Sequence, residues 1–232
     1  MGKIVKRTII ATILLAVLLL ITACAPPPMS LKSAFPKMYE NPPTTILILP
    51  PINKSTASDA KEYFACSLSE AIGRKGYYPM PVEATFGVLR DEGLYDTENI
   101  TPAVLANFKQ YFGVDAVLIT SIEEWEKSYA IVAGSLTITA KFALLSTANA
   151  DTLWDFTTKT KVSLGSDNEN FLVALLETAV KTAVEDYFPN CQKANIMTMD
   201  AALPSGKHHP AYGQDGNKTI PASKHAVIEI SK

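Results

Sequence analysis

The chain has 232 residues, 21 of them basic and 23 acidic, for a formal net charge of −2. That balance argues against a protein that grips nucleic acid by neutralising phosphates, a task that calls for a basic face. Hydrophobic residues make up 47%, enough for one core of ordinary domain size even after the apolar amino terminus is set aside.

In chain order, Lys3, Lys6 and Arg7 precede an apolar or small run over residues 9–21. A membrane-spanning helix needs about 20 apolar residues. This run is shorter, and with its basic flank it reads as a signal peptide. It closes on Leu20-Ile21-Thr22-Ala23-Cys24, which resembles the bacterial lipobox. In that motif the cysteine thiol is acylated and the chain is cut just before it. Residues 1–23 are therefore expected to be removed. Cys24 is expected to carry covalent lipid such as palmitate, and no other cofactor is expected. Without residues 1–23, which hold three basic residues and no acid, the remainder carries a net −5. Ala25 follows the cysteine where an aspartate would retain a lipoprotein at the inner membrane. The expected location is thus the outer membrane, facing the periplasm or the cell surface.

Residues 24–43 carry Pro26, Pro27, Pro28, Pro36, Pro42 and Pro43. Proline opposes both helix and central strand, so this stretch reads as a tether. The folded domain is expected over 44–191. Within it, the apolar run 45–49 between prolines reads as a buried strand, and residues 57–74 show helical spacing. Residues 76–82 read as a short edge strand limited by Pro79 and Pro81, and 83–91 as a helix. Thr101, Pro102 and Gly113 mark both ends of the next helix. Residues 114–122 form the strongest buried strand. The alternating runs 136–144 and 154–164 read as an antiparallel hairpin with one wet face. A helix is expected over 166–187, stopped by Pro189. Residues 192–232 carry few periodic apolar positions and read as a weakly ordered tail, within which 226–230 could add an edge strand or bind a partner.

The catalytic inventory is thin. There is no G-x-S-x-G, H-E-x-x-H, P-loop, G-x-G-x-x-G or C-x-x-C. All three histidines, His208, His209 and His225, fall in the expected tail, so no catalytic residue and no metal site is assigned. Glu123, Glu124 and Glu126 flank Trp125 and read as acids at a strand end pointing to alternate sides, not as carboxylates facing each other across a substrate. Cys66 and Cys191 could form one disulfide in an oxidising compartment, although spacing alone cannot show that they meet. Tyr77, Tyr78, Trp125 and Tyr129 are the candidates for a partner surface, with core packing the fate of at least half of them.

Segments 46–55, 76–82, 112–118 and 122–125, together with Leu153-Trp154, resemble an uncharacterised family of bacterial outer-membrane lipoproteins of the neisserial surface-antigen type. The resemblance spans roughly 46–188. It implies a fold similar to the amino-terminal domain of TolB and to auxiliary lipoproteins of ABC-type transport systems. It also implies genes beside a CsgG-like lipoprotein, and no agreed active site. The expected architecture is a single α/β domain with a mixed sheet of about five strands, an antiparallel hairpin and flanking helices. The expected function is a lipid-anchored, non-enzymatic accessory or adaptor in transport or secretion across the envelope. Its partners would be envelope proteins such as a CsgG-like lipoprotein. A peptidoglycan- or glycan-binding lipoprotein and a hydrolase with an unrecognised site are the alternatives.

Overall fold

The run Ile46-Leu47-Ile48-Leu49 has no polar position, and all four residues are at most 1% exposed. A strand apolar at every position must be covered on both faces, and that requirement organises the molecule. The computed structural model describes residues 27–57, 60–98, 100–129, 134–163 and 187–230. The expected signal peptide, Cys24 and nearly all of the expected helix over 166–187 lie outside these residues.

The elements are β1 (Met29–Ser30), α1 (Leu31–Ala34), α2 (Pro36–Glu40), β2 (Thr45–Ile48), β3 (Ile52–Asn53), α3 (Ala60–Arg74), β4 (Tyr78–Pro79), α4 (Val82–Asp91), α5 (Pro102–Phe112), β5 (Ala116–Tyr129), β6 (Gly134–Ser146), β7 (Thr152–Ser163), α6 (Tyr187–Ala202), β8 (Thr219–Ile220) and β9 (His225–Ile230). The main sheet runs β4-β2-β5-β6-β7-β9, with β3 also paired to β5. Strands β2, β3, β4 and β5 pair in parallel, β5-β6-β7 form an antiparallel meander, and β9 lies parallel to β7. This is the mixed α/β sheet with hairpin and flanking helices that the patterning implied, but with seven strands instead of about five, because the short β3 and the carboxy-terminal β9 also join it.

One face of the sheet is covered along its length. Ile46, Ile48, Leu118, Ile138, Phe142 and Trp154 pack with Phe64, Leu68 and Ile72 of α3 and Met199 and Ala202 of α6. Among the described residues the other face is covered only at the parallel end, where Leu47, Leu49 and Val117 meet Leu89 of α4 and Leu105 and Phe108 of α5. The described residues therefore make three layers at β2 and β5 and two from β6 onward. The change follows the sequence: β2 is apolar at consecutive positions, whereas β6 and β7 alternate apolar with Thr and Lys. Helix α5 forms as its signals dictate. The Thr101 hydroxyl accepts from Val104 N–H at 3.4 Å, Pro102 opens the helix, and Gly113 ends it at φ 66°.

Two expectations about the chain ends are corrected. The tether over 24–43 already belongs to the domain from Met29 onward. Ser30 caps α1 by accepting from Ser33 N–H at 3.2 Å, and Pro36 opens α2. Leu31, Phe35 and Met38, spaced like a helix face, are buried in the core. Proline count hid that spacing.

The tail over 192–232 is likewise built into the fold. Helix α6 runs through Ala202, and Pro189, expected as a stop, falls in its first described turn, where a missing N–H is tolerated. The segment after α6 is held by long-range bonds: Tyr77 OH donates to Pro204 O at 2.7 Å, Gly206 N–H to Lys75 O at 2.7 Å, and His208 N–H to Gly76 O at 3.2 Å. Asp215 accepts from Tyr39 OH at 3.0 Å and Ser205 N–H at 2.6 Å. Such contacts have no local periodicity, so the sequence did not display them.

Asp115 joins three elements. Its carboxylate accepts from Thr44 N–H at 2.9 Å, Thr45 N–H at 3.2 Å and Lys109 Nζ at 2.8 Å. Partial burial works to raise its pKa, but the Lys109 ammonium and the two backbone donors outweigh it and hold the group at about 2. A carboxyl whose folded pKa lies below its unfolded value of about 3.9 contributes stability that is complete above that value and is lost as pH falls through the folded one. Asp115→Asn should therefore lower stability at pH 7 by about 1 kcal/mol, after allowing for solvent screening. Wild type and variant should converge near pH 2 in urea titrations. An unchanged gap at pH 2 and pH 7 would show that the carboxylate charge plays no part.

Candidate functional site on the open face of the sheet

From β6 onward the outer face is built by alternation. Thr139, Lys141, Thr157 and Lys159 point away from the core, while Ala140, Phe142, Phe156 and Thr158 are buried. Register places Lys141 opposite Thr157, Thr157 opposite His225, and Thr139 opposite both Glu124 and Lys159. Together with Glu123 and Ser223 these residues line an open hollow of about 530 Å³.

Glu123 and Glu124 do not point to alternate sides as expected. The β5–β6 register shifts between Ile122 and Glu124, since Ile122 pairs with Ala140 and Glu124 with Thr139. The bulge makes Glu123 the extra residue, and both carboxylates line the hollow while Trp125 returns to the core. Glu123 is 3.1 Å from Lys54 Nζ and 3.6 Å from Lys141 Nζ, and it accepts from the Ser121 hydroxyl at 2.9 Å. Partial burial pushes its pKa up, but the Ser121 hydroxyl and the two lysines outweigh that and hold it below the usual range. Glu124 is held low first by the Thr139 hydroxyl and then by Lys159, whose Nζ lies 3.0 Å away. Both acids are thus ionised at neutral pH. Neither carries the raised pKa of a general acid that protonates a leaving group. A lattice of exposed ion pairs adds little stability; what it offers is a shallow array of donors and acceptors.

His225 enters this face because β9 joins β7. At about 4.8 Å per strand it stands roughly 14 Å from β5, too far to share a proton with Glu123. His208 and His209 sit in a turn packed on Gly76, and His209 Nδ1 accepts from Ala211 N–H at 3.1 Å. Among the described residues no three His, Cys, Asp or Glu side chains gather as metal ligands.

The expected partner surface is divided. Tyr77 is 5% and Trp125 7% exposed, so both are core residues. Tyr78 is 57% exposed, as strand alternation after Tyr77 requires. Tyr129 ends β5, and its side chain lies outside the description. The proposed Cys66–Cys191 bond is absent, and both thiols are free. Helix α3 meets α6 through Ser67, which accepts from Asn195 Nδ2 at 2.8 Å, and through Glu70, which accepts from Gln192. Cys66 lies on another side, where burial and the Glu83 and Glu62 carboxylates push its thiol pKa up. Burial alone raises that of Cys191. Sequence reasoning missed Lys54 and His225 as parts of the face that the Thr/Lys alternation at 137–141 and 157–161 marked.

Fold and site define a small α/β domain whose sheet carries one polar face that no described residue covers. The chain belongs to the family described as "Putative lipoprotein GNA1162-like", whose model matches residues 34–210. The curated protein "Putative lipoprotein NMB1124/NMB1162" of Neisseria meningitidis serogroup B is 28% identical over 141 residues. That match covers 61% of this chain and 66% of the relative, just under two thirds of its length. Among solved structures, lipoprotein GNA1162 from Neisseria meningitidis shows 28% identity and a TM-score of 0.46 over 60% of this chain and 95% of that one. The LpoB carboxy-terminal domain from Salmonella enterica shows 16% identity and a TM-score of 0.38 over 56% and 94%. The lipoprotein family expected from the sequence is the one found. No described helix is long and apolar enough to cross a membrane.

Proposed function

We propose that this protein is a lipid-anchored, non-enzymatic accessory of the cell envelope. Cys24 holds it at the outer membrane, and the open face of its sheet docks an envelope protein during transport or secretion. The observation that carries this reading is the character of that face. It is shallow and polar, its two acids are ionised and paired with lysines, and it lies in a domain of a lipoprotein family. Complementary charge on a partner would exchange with these exposed pairs at small cost and would set orientation more than raw affinity. A CsgG-like lipoprotein is the partner that the sequence resemblance suggests first.

The docking reading is tested in intact cells with a photo-crosslinking side chain at Thr157, in the hollow, and at exposed Lys193 of α6, on the helical side. A discrete envelope-protein adduct from position 157 and none from 193 is the expected result. Adducts with peptidoglycan alone, or none at 157, would replace the reading. The anchor is tested separately. Cys24→Ser should abolish labelling with radioactive palmitate, leave the chain uncleaved or unlipidated, and take it out of the outer-membrane fraction, because the lost thiol is the expected acylation site. Retained labelling would place the lipid elsewhere.

A further inference from the structure

Among the described residues the main sheet ends in two unlike edges. Strand β4 is two residues long, contains Pro79 and is followed by Pro81, so it offers few main-chain donors to another chain. Strand β9, His-Ala-Val-Ile-Glu-Ile, has no proline, no lysine and no inward charge. Its bonding to β7 fixes which groups are free. Thr157 N–H donates to Lys224 O at 2.9 Å, and Thr157 is registered opposite His225. In a parallel ladder this turns the backbone of Ala226, Ile228 and Ile230 toward β7, and the N–H and C=O of His225, Val227 and Glu229 toward the free edge. No described residue bonds those edge groups. Val227 is 66% exposed on the outer face, and Ala226 and Ile228 remain half-buried at the rim of the core.

We propose that β9 pairs antiparallel with β9 of a second copy about a two-fold axis through Val227, so that one sheet runs through both molecules. The register follows from the strand itself. With Val227 opposite Val227, each edge-directed residue falls into a hydrogen-bonded pair, for about six main-chain bonds. A one-residue slip would oppose outward and inward side chains. A two-residue slip would leave an edge residue unpaired. In the favoured register His225 faces Glu229 of the other copy at both ends, with no like charges directly opposed. On the inner face Ala226 meets Ile228, which carries the apolar core across the axis. A strand complementary to its own reverse fits a second copy of this chain, since an isologous contact needs self-complementarity. The family match ends at residue 210, before β9 begins, and the dimer does not depend on the accessory role.

The test uses the full chain in detergent micelles, with protein mass measured by light scattering after gel filtration. Wild type should have the mass of a dimer. Val227→Pro should have half that mass and an unchanged circular dichroism melt, because proline there removes an edge N–H and no bond to β7. Val227→Cys provides a second reading, since opposed Cα atoms about 5.5 Å apart lie within disulfide range. Oxidation should give a covalent dimer that depends on position 227, and Tyr78→Cys on the opposite edge should give none. A monomeric wild type, a folded Val227→Pro that keeps the dimer mass, or a cysteine at 227 that couples to a different envelope protein in cells would each overturn the pairing. If Val227→Pro fails to fold, the cysteine result decides alone.

Discussion

Replacing Trp154 with alanine should cost about 3–5 kcal/mol, and replacing it with phenylalanine about 1–2 kcal/mol, read from urea midpoints. Trp154 is fully buried and joins three parts of the chain. Its ring centroid lies 6.3 Å from Phe35 in the amino-terminal segment, 5.9 Å from Phe142 in β6 and 6.2 Å from Phe156 in β7. Its indole N–H donates to Ala202 O at 2.9 Å, one of the terminal helix carbonyls that lack a partner within the helix. Alanine removes the packing and the bond together. Phenylalanine keeps most of the aromatic volume and orphans a buried carbonyl. Equal losses for the two variants would mean that ring packing contributes little, and a loss under about 1 kcal/mol for alanine would take Trp154 out of the core.

The second large effect is expected at Gly76, which connects α3 to β4. It adopts φ +80°, and a Cβ there would stand 2.3 Å from His209 N and 2.9 Å from the His208 carbonyl carbon. Gly206 approaches the same turn, since its own Cβ would meet Gly76 O at 2.6 Å. Gly76→Ala should thus combine left-handed backbone strain of about 1–2 kcal/mol with overpacking of about 1–3 kcal/mol. Two controls separate the causes. Gly113→Ala meets the same kind of strain, at φ +66°, with open space around it, and should show the backbone part alone. Gly73→Ala, inside α3 with nothing near, should be neutral or slightly stabilising. If Gly76→Ala costs no more than Gly113→Ala, the turn at 206–209 does not rest on Gly76. In that case the docking of the carboxy-terminal segment would need another basis.

Much of the fold was legible because its signals are local. The proline-bounded apolar run made β2, and Thr101, Pro102 and Gly113 set both ends of α5. Alternation made the β6–β7 hairpin and marked Thr139, Lys141, Thr157 and Lys159 as the wet face. Ordered segments of residue identity also pointed to the lipoprotein family that the comparisons bear out. The strand, helix and hairpin signals rest on spacing within short stretches of chain, where backbone sterics and hydrophobic periodicity act directly.

What only the tertiary structure decided depends on partners distant in sequence. A single extra residue in β5 turns Glu123 outward beside Glu124, and nothing local in Ile122-Glu123-Glu124-Trp125 reveals it, because a bulge exists only relative to the strand opposite. Tyr77 and Tyr78 look alike in the sequence, yet one is sealed beneath Pro204 and the other faces solvent. The residues after Cys191 have little periodicity of their own, and their order comes from Tyr39, Gly76 and Tyr77 and from the edge of β7. Covering that edge with β9 brings His225 into the polar face and leaves Val227 at the rim. Sequence therefore determined the strands and helices of the central segment and the character of each face. The order of the strands, which ends they leave open and which side chains meet there were decided by long-range pairing, whose free energy no single segment contains.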